Sequence, residues 1–238
     1  MPVDIAETGL TPEDAKQIKH VVILGCGTSY HAGLIGRYML ETWANVHVDV
    51  DLASEWRYRD YPLSEDTLVI GVSQSGETAD TLAALEKAKV CGARVLSVCN
   101  VLGSQITRVA HGTLYTRAGL EVGVASTKAH VSQVMAFAVL AMWFAEQRES
   151  MDATEHQLVR EELHRIPELM RVMLESEPWH KSIKDVADRF SDKQFFMFLG
   201  RHIGLPVSLE AALKLKEISY IPSDAYAAGE MKHGPIAP

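Results

Sequence analysis

The chain has 238 residues, of which 47% are hydrophobic and 23% charged, a globular balance that excludes wholesale disorder. Its 23 Lys and Arg against 31 Asp and Glu leave a net charge of −8, a poor match to a nucleic-acid backbone, so no nucleic-acid partner is expected. The longest apolar run, 134–145, falls short of the about 20 residues that cross a bilayer, and no membrane partner is expected. The first residues show no basic stretch followed by an apolar core, so no secretory signal is read there. Cys26, Cys91 and Cys99 have neither CxxC nor Cys/His zinc spacing and read as reduced thiols of a cytoplasmic protein.

In chain order, His20–Leu24 is a short apolar run ending in Gly25-Cys26-Gly27, followed by a helical stretch from Ser29 to about Asn45. Val46–Leu52 alternates Val with His or Asp, the period of a half-exposed strand. Thr67–Ser73 reads as a buried strand, and Glu77–Val90 as a helix with Leu82, Leu85 and Ala88 on one side. Ala93–Cys99 and His111–Thr116 supply two more strands, and a long helix covers Thr127–Gln147. Continuous apolar strands separated by helices predict a parallel sheet covered on both faces, a doubly wound α/β domain over residues 1–150.

Residues 151–178 change to charged, helix-forming text with Leu158, Leu163, Ile166, Leu169 and Met173 at helical spacing. Pro167 inside that pattern is expected to kink or divide the helix. A second unit, 179–238, offers a helix around Ile183–Phe190, a strand at Gln194–Gly200, a turn at Arg201–Pro206 and a helix at Ser208–Tyr220. One strand and one helix cannot cover both faces of a sheet. This unit is expected to be incomplete, with an unpaired apolar edge at Gln194–Leu199.

Three segments carry chemistry. Ser73-Gln74-Ser75-Gly76-Glu77-Thr78 follows a buried strand and opens a helix, the place where a doubly wound sheet receives ligands. Its hydroxyls and the free N–H groups of the helix start would make an anion cradle without a lysine; the alternative is an ordinary Ser/Thr helix cap. Gly25–Ser29 is a second strand-to-helix turn, with Asp49 or Asp51 near the distance of a ribose-binding acid. Tyr30, however, stands where a dinucleotide fingerprint needs a small residue. Cys26 beside a helix start reads either as an activated thiol or as a small buried residue. On Ser208–Tyr220, Glu210, Lys214 and Glu217 at i, i+4 and i+7 share a narrow arc on an otherwise apolar helix. Such a stripe faces a cavity or partner if the helix is buried, and solvent if it is an ordinary amphipathic helix. The ten histidines form no HxxxH or HExxH pair, so no metal site and no cofactor are expected. His233 lies in a loop punctuated by Gly and Pro.

Together, Gly25–Tyr30, Ser73–Thr81, Glu121–Lys128, Leu209–Ser219 and Ala227–Pro235 resemble the isomerase half of the glucosamine-6-phosphate synthase family. The resemblance implies sugar isomerase (SIS) domains: a three-layer α/β/α sandwich with a flavodoxin-like parallel sheet, followed here by a partial second SIS domain. It implies that Ser73, Gln74, Ser75 and Thr78 hold a sugar 6-phosphate, with Cys26, Thr28, Ser29, Val124 and Ser126 lining the remaining pocket. Glu217 would be the base between carbons 1 and 2, Lys214 would assist at the oxygens, Glu210 would orient that group, and His233 would open the sugar ring from a neighbouring subunit. The ligands implied are fructose 6-phosphate, glucose 6-phosphate and glucosamine 6-phosphate, and the assembly implied is a homodimer. The family's glutaminase half and its carboxyl-terminal tail have no counterpart in this sequence, so weak or no turnover is expected of the chain alone. A stand-alone phosphosugar isomerase or deglycase, or a non-enzymatic phosphosugar sensor, would share the phosphate loop. The sensor would have no use for the Glu210/Lys214/Glu217 stripe.

Overall fold

A computed structural model describes residues 5–236. Met1–Asp4, where a secretory signal was sought, and the last two residues of the second unit lie outside that range. After a 3₁₀ turn at Ile5–Thr8, the first domain runs α1 (Pro12–Gln17), β1 (His20–Gly25), α2 (Thr28–Ala44), β2 (His47–Leu52), α3 (Ala53–Trp56) and β3 (Thr67–Ser73). It continues with α4 (Ala79–Val90), β4 (Arg94–Cys99), α5 (Gln105–Val109), β5 (Gly112–Tyr115) and α6 (Lys128–Arg148). The five strands form one parallel sheet in the order β2-β1-β3-β4-β5. This is the flavodoxin-like order, whose direction of winding reverses between β1 and β3.

Strand periodicity divides the core in two. Val21 and Ile23 of β1, with Leu68, Ile70 and Val72 of β3, pack against α2 and α6. Val22, Leu24 and Val69 point the other way, onto Trp56, Ala84, Leu85, Ala88 and Ile106. Burial on both faces is why β3 reads as unbroken apolar text. α6 has the length and apolarity of a membrane-crossing helix, and its place in the fold is the domain core: Phe137 and Phe144 are fully buried. It lies close against α2 because Gly36 leaves room for the Phe137 ring; a Cβ there would fall 2.5 Å from Phe137 Cγ. At the far end of α6, Arg148 donates to the carbonyls of Ala15, Ile18 and Ala44, tying α1 and α2 to the same corner.

α7 (Ala153–Leu174) and α8 (Glu177–Phe190) follow, and neither contains a buried residue. Of the two outcomes expected at Pro167, division does not occur: α7 runs through it to Leu174. The helix is open to water, which can take the carbonyl that Pro167 leaves without a partner. The second unit then places β6 (Phe196–Gly200), α9 (Gly204–Ser219), β7 (Ser223–Ala227) and a 3₁₀ turn at Ala228–His233. β7 was not expected. It pairs in parallel with β6 from Phe196↔Ser223 to Gly200↔Ala227, so the foreseen edge at Gln194–Leu199 is covered on one side. Met197 and Leu199 nonetheless remain exposed.

Candidate functional site

β1 and β3 are neighbours, with Leu24 opposite Gly71, so the turns that follow them flank one crevice at the carboxyl end of the sheet. Ser73 is buried, and its hydroxyl accepts from the Gly76 N–H at 3.0 Å while lying 3.0 Å from Thr78 Oγ1. Ser75 Oγ accepts from the Glu77 N–H at 3.2 Å. Thr78 occupies the N-cap position of α4 yet makes no capping hydrogen bond. Its hydroxyl is turned to Ser73, and among the described residues the first-turn N–H groups of α4 have no side-chain partner. Gly76 is at φ +68°, and a Cβ there would fall 2.1 Å from Ser104 Oγ. The loop therefore has its shape only with glycine. Gln74 is half-buried and lines a neighbouring cavity of about 430 Å³ with Asn100, Tyr115 and Arg117.

Across the crevice, α2 starts at Thr28 with no side-chain cap. The α9 stripe faces this helix, and on α9 it is the charged side that docks while Val207 and Ile218 stay exposed. Of the two readings, the stripe facing a partner element holds, although α9 is only partly covered: Glu210 and Ala212 are buried, and Leu209, Leu213 and Leu215 are half-buried. Thr28 Oγ1 donates to Glu210 Oε1 at 2.9 Å, and His31 Nδ1 lies 2.7 Å from Glu210 Oε2. Lys214 Nζ is 3.2 Å from Glu210 Oε1, donates to Thr28 Oγ1 at 3.0 Å, and lies 2.6 Å from Glu217 Oε2. That last contact is an ion pair whose angle falls outside hydrogen-bond geometry. Burial alone would raise the Glu210 carboxyl, but the His31 and Thr28 hydrogen bonds outweigh it, with His130 and Lys214 adding to them. The carboxyl is brought down to about 2.

His130 stands beside this network, its Nδ1 buried with no hydrogen-bond partner, and burial pushes its imidazole below the usual range despite the nearby Glu210. Neither His31 nor His130 was singled out from sequence. The signal for His31 was present: it sits three residues after Thr28, on the same face of α2. Ser29 Oγ accepts from Gln133 Nε2 of α6 at 3.0 Å, and half-buried Cys26 places its sulfur 4.0 Å from Thr81 Oγ1.

Other residues named from the sequence make no side-chain hydrogen bond or ion pair with this network among the described residues. Val124 is 94% exposed on the loop before α6. Ser126 donates to Glu121 Oε2 at 3.3 Å, and Glu121 Oε1 accepts from the N–H groups of Thr127 and Ala129. Burial opposes ionisation of Glu121, but those N–H groups hold its carboxyl below the ordinary range. His233 is exposed and makes no hydrogen bond or ion pair among the described residues. Asp51, a candidate ribose-binding acid, is paired with Arg59, and Asp49 is held by His20 and Tyr61, which leaves the dinucleotide reading without its acid.

Comparison with known proteins agrees with this geometry. The SIS domain family model matches residues 16–143. Glutamine–fructose-6-phosphate aminotransferase (isomerizing) from Clostridium tetani is 49% identical over 96% of this chain and 37% of its own length. The protein of the same name from Symbiobacterium thermophilum is 47% identical over 99% of this chain and 38% of its own length. The chain therefore spans little more than a third of these curated relatives. The solved C-terminal domain of glucosamine-fructose-6-phosphate aminotransferase from Francisella tularensis superposes with a TM-score of 0.90 and 41% identity, covering 95% of this chain and 63% of that one. With that family model matched across more than half of the chain and a parallel sheet in flavodoxin-like order, the chain belongs to the SIS domain family.

Proposed function

We propose that the chain binds a hexose 6-phosphate and carries the ketose/aldose isomerase centre of a glutamine–fructose-6-phosphate aminotransferase, serving amino-sugar synthesis in the cytoplasm. The observation that carries this reading is the meeting, at one crevice, of an uncapped helix start ringed by hydroxyls and a carboxylate–ammonium–carboxylate network. Ser73, Gln74, Ser75 and Thr78 would take the phosphate of fructose 6-phosphate, glucose 6-phosphate or glucosamine 6-phosphate. Cys26, Thr28, Ser29, Val124 and Ser126 would line the rest.

The chemistry divides between two unlike carboxylates. Glu210, held ionised by His31 and Thr28 with Lys214 beside it, keeps the ammonium aimed. Glu217, which meets only Lys214 among the described residues, is the group free to move a proton between carbons 1 and 2. Lys214 would steady the charge that develops on the oxygens as the enediol or enediolamine forms. His233, exposed on its 3₁₀ turn, would open the sugar ring in the neighbouring subunit of a homodimer.

On this reading residues 1–150 form the sugar-phosphate domain, 151–178 a helical connector and 179–238 part of a second SIS domain, with a glutaminase domain in the full-length protein. The test is to titrate glucose 6-phosphate into the labelled chain and follow amide resonances. Shifts at Ser75, Gly76 and Thr78 together with Glu217 support the reading, and an unmoved phosphate loop refutes it.

A further inference from the structure

We propose that His20, His47 and Asp49 form a binding site for a divalent transition-metal ion of the zinc class, at the end of the sheet away from the sugar-phosphate loops. β1 and β2 each begin with histidine, and their parallel register sets His20 opposite His47. Asp49 follows two residues later on β2, so strand periodicity returns it to the face of His47. The three side chains thus converge through strand pairing. A helix-based search for HxxxH spacing cannot see such a set.

The ligand atoms of the three residues all lie within 4.8 Å of one another, and this is the one such group among the described residues. His20 Nε2 is 3.1 Å from Asp49 Oδ2, and the His20 and His47 ring centroids are 5.0 Å apart. Ligands of a tetrahedral zinc ion, each about 2.0–2.1 Å from the metal, stand about 3.3 Å apart. The remaining closure falls to the exposed His47 ring, which can turn about its own side-chain bonds.

The supporting groups are also in place. The Tyr61 hydroxyl donates to Asp49 Oδ2 and lies 3.4 Å from His20 Nε2, while its ring packs on buried Trp56 at 5.8 Å. Ligating carboxylates are themselves held by an outer hydrogen bond, and the Tyr61 hydroxyl supplies it to Asp49. Two imidazoles and one carboxylate suit zinc, nickel or copper with water at the open position. Calcium and magnesium prefer oxygen cages of six or more ligands. β2 is the edge strand of the sheet, so an ion reaches the site from solvent. Five residue steps along β1 lead from His20 to Gly25, about 16 Å at strand rise, so this site is separate from the phosphate crevice. A bound ion would clip the start of the edge strand to β1.

The experiment is calorimetric titration of Zn²⁺ into the chelator-stripped full chain, repeated for His47→Ala and Asp49→Asn. Absorption spectra after Co²⁺ loading report the coordination geometry. The proposal expects one saturable site per chain, a tetrahedral Co²⁺ spectrum, and binding weakened about tenfold or more in each variant. Equal zinc affinity in wild type and His47→Ala, an absent site, or an octahedral Co²⁺ spectrum overturns it. Melting curves in chelator check the fold. Should Asp49→Asn not fold, exposed His47→Ala alone decides the matter.

Discussion

Thr28, the first residue of α2, and Glu210 of α9 are 182 positions apart in the chain and joined by a hydrogen bond of 2.9 Å. The same hydroxyl receives the Lys214 ammonium at 3.0 Å, so one small side chain docks the second unit onto the sheet domain. Replacing Thr28 with Val keeps the shape but leaves a buried carboxylate oxygen and the ammonium each short of a partner. A loss of about 1–3 kcal/mol is expected, read as a lower urea midpoint. Stability unchanged by Thr28→Val would mean that the docking does not depend on this bond.

The depressed Glu210 carboxyl gives the docking a pH dependence. A group whose folded pKa lies below its unfolded value contributes stability that is present above the unfolded value and lost as pH falls through the folded one. For Glu210 that window runs from 4.5 down to about 2. Urea midpoints measured across this window should fall more steeply for wild type than for Glu210→Gln. Parallel curves would show that Glu210 is not the group responsible.

At Gly76 the backbone is left-handed and Ser104 occupies the space a side chain would need. Gly76→Ala should therefore cost more than the about 1–2 kcal/mol of left-handed strain alone, and should displace the phosphate loop. Denaturant unfolding gives the first quantity, and loss of glucose 6-phosphate binding reports the second.

Exposed apolar residues on the second unit favour a homodimer. Trp179, Ile183 and Val186 form an i, i+4, i+7 row on α8, and Met197 and Leu199 lie open on β6. Light scattering over a dilution series should give twice the chain mass at the concentrated end. A monomer at every concentration would contradict the dimer and would leave His233 unable to act across a subunit boundary.

Complete burial made some strands legible, while the half-exposed β2 was legible from its alternation and the exposed α8 from its helix-forming residues. β1, β3 and β4 are covered on both faces and so appear as unbroken apolar runs, and the candidate turns at Gly25–Ser29 and Ser73–Thr78 begin where two of those runs stop. β7 was not readable because Ser223–Ala227 has neither an apolar run nor a clean alternation; it exists by pairing with β6. The charged stripe on α9 was legible as a pattern but not its partners. Thr28, His31 and His130 reach Glu210 only through tertiary folding. Pro167 sits inside α7 without dividing it: its local rule is real, and a solvated helix tolerates its breach.

On the function proposed, the Ser73–Thr78 loop holds a sugar phosphate through hydroxyls and helix N–H groups. Calorimetric titration of glucose 6-phosphate or fructose 6-phosphate into wild type and the Ser75→Ala/Thr78→Ala double variant tests it most directly. Each hydrogen bond to an anion is worth about 1.5–3 kcal/mol, so the double variant should bind at least about tenfold more weakly with its fold intact. Equal affinity in the two proteins would contradict the assignment of this loop.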